Sequence, residues 1–264
     1  MKKSAFISVS VGLIAGSAFA MQTPAQAASF TAQDAIAQGC VNQQSCTVNN
    51  FFDLSAFSFN GKKTVGAVIS SKTGKDVGNI VGLGVRSAIG ASDPSSGEID
   101  SNETLKVGFK KARNLDSLQL SFLYQPGQFN DAVYEMALVT PDGKLKSGTL
   151  QVQGTTSAVW RLDGVERSGA VTLISPSKKG FGGSYKIVNP FDNQVITGFS
   201  LTALRVPKND STGALCTTKN CPTGASNSDF TLSSVSVPEP TTVLGLGVVG
   251  ALFAARRRKS ASVS

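Results

Sequence analysis

Two stretches decide the fold: residues 117–124, SLQLSFLY, and residues 133–144, VYEMALVTPDGK. In the first stretch four large side chains fall on one face of an extended chain, namely Leu118, Leu120, Phe122 and Tyr124. In the second stretch two sets of side chains alternate from Val133 to Thr140, before a Pro-Asp-Gly-Lys turn. A period of two residues is typical of β-strands, and an Asp-Gly pair between two strand-like runs indicates a hairpin. Both stretches therefore predict antiparallel β-structure, with a hairpin leading to Thr149–Gln153.

Similar short runs fill most of the remaining chain and are separated by Gly, Pro, Asn and Ser. They are Thr64–Ser70, Ile80–Ile89, Glu103–Phe109, Ala158–Leu162, Ala170–Ile174, Ser184–Val188, Val195–Val206 and Asp229–Val235. Gly82 and Gly84 predict a turn or bulge, and one short helix is predicted near Thr31–Gln38. Many short strands without helical crossovers predict an all-β fold, an antiparallel and jelly-roll-like β-sandwich over residues 28–236.

Composition limits the catalytic and metal sites that the chain can build, because its 264 residues include no histidine. The chain therefore cannot build a Ser-His-Asp or Cys-His catalytic set or a His-ligated zinc site. Carboxylates alone can hydrolyse glycosides, and the candidates are Glu98, Asp100, Glu103 and Asp131. The sequence alone does not set the separation between two carboxyl groups that this chemistry requires. We expect no enzymatic activity, no cofactor and no metal site.

An acidic segment is one candidate for a metal site. Asp93, Glu98, Asp100, Asn102 and Glu103 lie on a Pro/Ser/Gly-containing stretch, and oxygen ligands of this kind can bind calcium. The spacing does not match an EF-hand loop. A solvated loop is therefore the expected structure.

The first 27 residues have the three parts of a secretory signal. Two lysines precede the apolar run Ala5–Phe19, and Ala25 and Ala27 supply the small residues of an A-x-A cleavage site. The apolar run is short for a permanent membrane span. We predict a signal peptide over residues 1–27, with cleavage by signal peptidase after Ala27, or alternatively after Ala20.

The C-terminal residues 237–264 have the layout of a sorting tail. In order they contain Val237, Pro238, Glu239 and Pro240, an apolar run Val243–Ala255, and the cations Arg256, Arg257, Arg258 and Lys259. Two prolines around a glutamate disfavour helix and keep the chain extended. The apolar run predicts a short transmembrane helix, and the cations after it act as a cytoplasmic stop-transfer signal.

This tail resembles the PEP-CTERM sorting signal, in which a Pro-Glu-Pro motif precedes a short apolar helix and an Arg-rich end. The resemblance covers residues 237–259. It implies recognition by exosortase, a membrane enzyme of Gram-negative bacteria, after an intermediate held in the inner membrane. It also implies removal of the tail and delivery to the cell surface or extracellular matrix, often among exopolysaccharides. An uncut C-terminal anchor is the alternative.

The two flanks carry most of the basic charge. Of the formal net charge of +8, Lys2 and Lys3 carry two and the tail from Pro238 carries a net three, which leaves +3 for residues 28–236. Nucleic-acid binding needs a concentrated basic surface. We therefore expect no nucleic-acid partner.

The four cysteines form two close pairs, Cys40 with Cys46 and Cys216 with Cys221. An exported chain meets an oxidising compartment, where such cysteines form disulfides. Three connectivities are possible, and local pairing is preferred because each loop is short. A four-thiolate zinc site is the alternative.

Three functions fit these observations: a non-enzymatic surface or matrix protein, a carbohydrate-binding module, and an envelope hydrolase. The first is the leading hypothesis, since export and sorting are the features that the sequence shows. A sugar-binding module needs exposed aromatic rings, for which the candidates near turns are Tyr124, Phe129, Tyr134, Tyr185 and Phe191. Each of these is more typical of packing than of a ligand site. Alternation places Trp160 in the core.

Overall fold

The computed structural model describes residues 28–60, 63–74, 80–87, 97–100, 102–125, 134–177, 182–206 and 226–238. In these ranges the chain forms one helix, α1 (Ala32–Ala37), and seventeen strands. The strands are β1 (Ala28–Thr31), β2 (Ser45–Val48), β3 (Phe52–Asn60), β4 (Lys63–Gly74), β5 (Ile80–Ser87), β6 (Glu103–Asn114), β7 (Ser117–Leu123), β8 (Met136–Pro141), β9 (Gly148–Val152), β10 (Ala158–Leu162), β11 (Val165–Glu166), β12 (Val171–Ser175), β13 (Gly183–Val188), β14 (Val195–Ala203), β15 (Arg205–Val206), β16 (Ser226–Asn227) and β17 (Thr231–Val237).

Fifteen of these strands form one antiparallel sheet. Its order is β11-β10-β9-β8-β14-β6-β3-β4-β5-β17-β7-β13-β12, with β1 beside β17 and β2 beside β3. Strands β15 and β16 form a separate ribbon. The predicted all-β antiparallel class is confirmed. The predicted hairpin is also present, since Leu138 of β8 pairs with Thr149 of β9.

One long strand, β4, joins the two halves of the sheet. Its first part pairs with β3 as far as Gly66, and from Ala67 onward it pairs with β5. Buried apolar side chains from both halves belong to a single core. The two layers of the predicted sandwich are therefore one continuous sheet that curls over its own core.

A row of phenylalanines crosses this core from one half to the other. The ring centroids of Phe30 on β1 and Phe52 on β3 lie 4.9 Å apart. The row continues at 5.8 Å to Phe109 on β6 and at 6.1 Å to Phe199 on β14. All three contacts are edge-to-face, the geometry that the ring quadrupoles favour. Strand β1 is thereby tied to the centre of the fold.

Trp160 lies in the core, as predicted. Its indole N–H donates to the carbonyl oxygen of Pro190 at 3.1 Å, and its ring packs edge-to-face on Phe191. Nearby, the backbone N–H of Ser177 donates to the carbonyl oxygen of Thr155 at 2.8 Å. This hydrogen bond links the loop before β10 to the segment after β12. The two ends of the curled sheet are therefore held together.

The structure adds strands and corrects one turn. Strands β1, β2 and β3 lie where the sequence pattern predicts none, although β3 pairs with three neighbours. Gly82 and Gly84 lie inside β5, so the expected turn is wrong. The predicted helix is α1, and it begins with a capping box in which Thr31 Oγ1 accepts from the Asp34 N–H at 3.3 Å.

Candidate functional site

The last strand ends where the Pro-Glu-Pro sequence begins. Strand β17 lies between β7 and β1, and its final pairs are Ser236 with Ser117 and Val237 with Ala28. The Val237 side chain is buried, whereas Pro238 is exposed. The sheet therefore holds the chain up to Val237 and leaves it at Pro238.

The remaining residues of the predicted tail lie outside the described ranges. They are Glu239, Pro240, Arg256, Arg257, Arg258 and Lys259. The predicted cleavage residues Ala25 and Ala27 also lie outside them. Among the described residues no helix is long and apolar enough to cross a bilayer.

The chain enters and leaves the folded domain at the same place. Ala28 and Val237 are cross-strand partners in the antiparallel pair of β1 and β17. Opposed Cα atoms in such a pair lie about 4.5–5.5 Å apart. We call the end of the domain at which these two residues lie the terminal end. The predicted signal peptide precedes this end in the sequence, and the predicted sorting tail follows it.

The local pairing of the first two cysteines is present. Cys40 and Cys46 form a disulfide with a Cα–Cα distance of 5.4 Å, and Cys40 is buried. Cys216 and Cys221 lie outside the described residues. The Cys40–Cys46 bridge closes the loop between α1 and β2, which leads into the central strand β3.

We expect non-reducing peptide mapping of the mature protein to show Cys40 bonded to Cys46 and Cys216 bonded to Cys221. Each bridge closes a short loop, so its loss by a Cys→Ser pair is expected to lower the free energy of unfolding by about 2 kcal/mol. Free thiols at these positions would contradict exposure to an oxidising compartment.

A cluster of ionisable side chains lies at the end of the domain opposite the terminal end. We call it the carboxyl cluster, and its members are Lys72, Glu98, Tyr124, Glu135 and Asp229. The Lys72 Nζ lies 2.5 Å from Glu98 Oε2 and 3.5 Å from the Tyr124 hydroxyl oxygen. The Tyr124 backbone N–H donates to Glu135 Oε2. Five chain segments thus meet through polar contacts.

The electrostatics of the carboxyl cluster depend on Glu135, which is buried. Burial raises the pKa of Glu135 well above its ordinary value, and the charges of Asp229 and Glu98 raise it further. A hydrogen bond with Asp229 acts in the same direction. These effects favour the protonated form of Glu135, which can donate a hydrogen bond to Asp229. Burial and the same carboxylates also raise the pKa of Tyr124.

The carboxylates singled out from the sequence are placed differently from one another. Glu98 belongs to the carboxyl cluster, whereas Asp100 and Glu103 stabilise a local turn, in which the Asp100 N–H donates to Glu103 Oε2 at 3.3 Å. Glu98 and Glu103 are buried, so the expected solvated loop is wrong for both. Asp131 lies outside the described residues. Within the described part of the chain, no three His, Cys, Asp or Glu side chains could hold a metal ion.

Most of the aromatic candidates belong to the core. Tyr124, Tyr185 and Phe191 are buried, and Tyr134 is half-buried. Burial raises the pKa of Tyr185 to about 12. Their interpretation as packing residues is confirmed for the three buried rings, which cannot offer a face to a sugar. Phe129 lies outside the described residues.

Comparisons with known proteins locate one family signature. No curated protein and no solved structure matches the chain. The PEP-CTERM protein-sorting motif matches residues 236–259. The match begins within the last two residues of β17 and continues past Pro238, where the sheet releases the chain. The chain therefore carries a C-terminal PEP-CTERM protein-sorting motif, as its Pro-Glu-Pro, apolar and Arg-rich sequence predicted.

Proposed function

We propose that this chain is a secreted, non-enzymatic protein of the cell surface or extracellular matrix, whose β-domain is the cargo of the exosortase pathway. The PEP-CTERM motif indicates export and sorting to the surface. Before its tail is processed, the protein is an intermediate that the short apolar run Val243–Ala255 holds in the inner membrane. In its final location the domain is structural and associates with exopolysaccharide.

One observation carries this proposal: the last strand of the described domain ends at Val237, where the Pro-Glu-Pro sequence begins. Val237 is buried and paired with Ala28, whereas Pro238 is exposed. A membrane enzyme can therefore act on the chain from Pro238 onward without removing a strand from the sheet. The domain is separable from its sorting signal.

Two features support a non-enzymatic role. The chain has no histidine, which removes the commonest general base at neutral pH. Glu135, at the centre of the carboxyl cluster, is buried and bonds to neighbouring protein groups. These contacts join chain segments, which is a structural task.

Replacing Arg256, Arg257 and Arg258 by glutamine tests the sorting role. We expect the variant to fold but to be missorted, because the stop-transfer cations are lost. Intact mass of the envelope and medium fractions reports both cleavages. The matched control replaces Lys144 and Lys146, exposed cations of the turn between β8 and β9, by glutamine. Normal processing of the tail variant would overturn the proposal.

Association with exopolysaccharide is expected to be weak and electrostatic. The net charge of residues 28–236 is only +3, which gives a mild attraction to polyanions. On a glycan array, binding of the mature protein is expected to disappear as salt is added. Binding that resists salt would show a dedicated sugar site, and turnover of a glycoside would overturn the non-enzymatic role.

A further inference from the structure

Strand register and a side-chain hydrogen bond bring two turns to the terminal end of the domain. Val188 pairs with Ser117, which also pairs with Ser236, one residue before the chain leaves the sheet. Across the core, the Asn49 side-chain amide donates to the carbonyl oxygen of Ser29 on β1 at 3.0 Å. The Asn189 N–H donates to the carbonyl oxygen of Asp116, whose own N–H donates to that of Ser236. The turn before β3 and the turn between β13 and β14 are therefore neighbours of the two chain exits.

These turns carry exposed apolar side chains. Phe51 is 37% exposed, Val188 is 42% exposed and Val195 is 61% exposed. Single exposed apolar residues are ordinary on a soluble domain, and these three are the apolar side chains that a contact at this end would cover. Phe59 is 42% exposed and serves as a comparison, because it lies at the opposite end of β3.

The same end carries cations on β6. The Lys110 backbone N–H donates to the carbonyl oxygen of Phe51 at 3.0 Å, and the Arg113 guanidinium lies 5.6 Å from the Phe51 ring centroid. The pairing of β6 with β14 is irregular between Gly108 and Arg113, where the register shifts. Lys110 and Lys111 lie on the stretch between them and are exposed. Arg113 therefore lies against the Phe51 ring, Lys111 is exposed on the neighbouring stretch, and the Lys110 ammonium is paired with Asp53 Oδ2 at 2.7 Å.

The short length of chain between β17 and the apolar run indicates which surface lies next to the terminal end. Five residues, 238–242, separate β17 from the apolar run Val243–Ala255. An extended chain of that length spans roughly 18 Å at most. If the apolar run lies in a bilayer, the terminal end lies close to the bilayer surface. A phenylalanine with flanking Lys and Arg is the composition that binds the interface of anionic lipids.

We propose that the terminal end of the domain docks on an anionic phospholipid bilayer, with Phe51, Val188 and Val195 at the interface and Lys111 and Arg113 among the headgroups. This docking rests on the proposed function, since that function places the apolar run in the membrane. It orients the domain with the Pro238 exit facing the surface where a membrane enzyme works. The contact is a property of the folded domain and is separate from the tail itself.

The test uses the full-length chain in vesicles of phosphatidylglycerol and phosphatidylethanolamine. An environment-sensitive fluorescent amino acid replaces Phe51 in one variant and Phe59 in its matched control, and nitroxide-labelled lipids serve as quenchers. We expect quenching at position 51 to exceed that at position 59 by severalfold. We also expect the Lys111→Glu variant, and vesicles of neutral phosphatidylcholine, to reduce the excess.

A third reporter at Leu246, in the apolar run, separates this proposal from the proposed function. If Leu246 is quenched but positions 51 and 59 respond equally, the docking is overturned and the membrane-held tail stands. If Leu246 is not quenched, the membrane-held tail fails, and the ratio of positions 51 and 59 still decides the docking. Equal quenching at both positions, together with sedimentation on an acidic polysaccharide, would assign this surface to the matrix and overturn the proposal.

Discussion

Replacing Glu135 by glutamine is expected to raise the free energy of unfolding near neutral pH and to flatten its dependence on pH. The amide keeps an acceptor for the Tyr124 N–H and a donor for Asp229, but it cannot ionise. In the parent protein, burial and the charges of Asp229 and Glu98 raise the pKa of Glu135 well above 4.5. The glutamine variant removes the cost of keeping this buried group protonated at a pH where the unfolded chain releases the proton.

The sign of the pH dependence follows from the raised pKa of Glu135. Between pH 4.5 and that raised pKa, the folded protein binds a proton that the unfolded chain releases. The stability that this proton contributes is complete below pH 4.5 and is lost as the pH rises, by up to about 1.4 kcal/mol per pH unit. Chemical denaturation of the full-length chain in detergent, from about pH 4 to about pH 9, measures the effect.

The free energies of the parent and of Glu135→Gln are expected to agree at the acid end and to separate as the pH rises. Glu103→Gln is the matched control, because Glu103 is a buried carboxyl outside the carboxyl cluster. Parallel profiles for the parent and Glu135→Gln would show that Glu135 is ionised in the folded protein. The proton shared with Asp229 would then be disproved.

The second large effect is expected for Gly84→Ala in β5. An added Cβ would overlap the carbonyl oxygen of Gly97 and lie 2.6 Å from the backbone nitrogen of Glu98. These are backbone atoms, so no side chain can rotate away. Overpacking of this kind costs about 2–3 kcal/mol. The denaturation midpoint of the full-length chain is expected to fall accordingly.

Gly108→Ala in β6 is the matched control for Gly84→Ala. A Cβ at position 108 would meet its nearest atoms, those of Asp53, at 3.7 Å, which is an ordinary contact. Both glycines lie within strands, so the two variants differ mainly in steric overlap. Equal midpoints for the two variants would show that the segment of Gly97 and Glu98 can move away from β5.

Local alternation predicted the strands whose two faces differ clearly. The run Ala158–Leu162 coincides with β10, and the Asp-Gly turn lies between β8 and β9 as expected. The pattern did not predict the central strand β3, because polar and apolar side chains occur on both of its faces. Ser58 is buried inside, while Phe59 is exposed outside. Its place in the sheet follows from pairing with the next strand, β4, and with β6, which is distant in sequence. Alternation cannot report such pairing.

The sorting motif was legible because its residues are contiguous, whereas the carboxyl cluster was not. Glu98 was singled out, but its acidic neighbours Glu135 and Asp229 come from segments brought together only by the fold. Glu135 stands in the alternating run Val133–Thr140, where a carboxyl looks like an ordinary outward side chain. A buried carboxyl within a strand-like run is distinguishable only through its partners. The curl of the sheet supplies them.

The pairing of β1 with β17 also determines when the sheet can be completed during export. An exported chain crosses the membrane from its N-terminus, so Ala28 arrives roughly 200 residues before its partner Val237. A contact between the first and last strands closes a very long loop and forms late, because non-local pairing is slow. Strand β1 must wait until the chain is almost fully translocated. The final step of folding therefore coincides with the arrival of Pro238 outside the membrane, and the sorting signal becomes readable at the moment when its cargo can be complete.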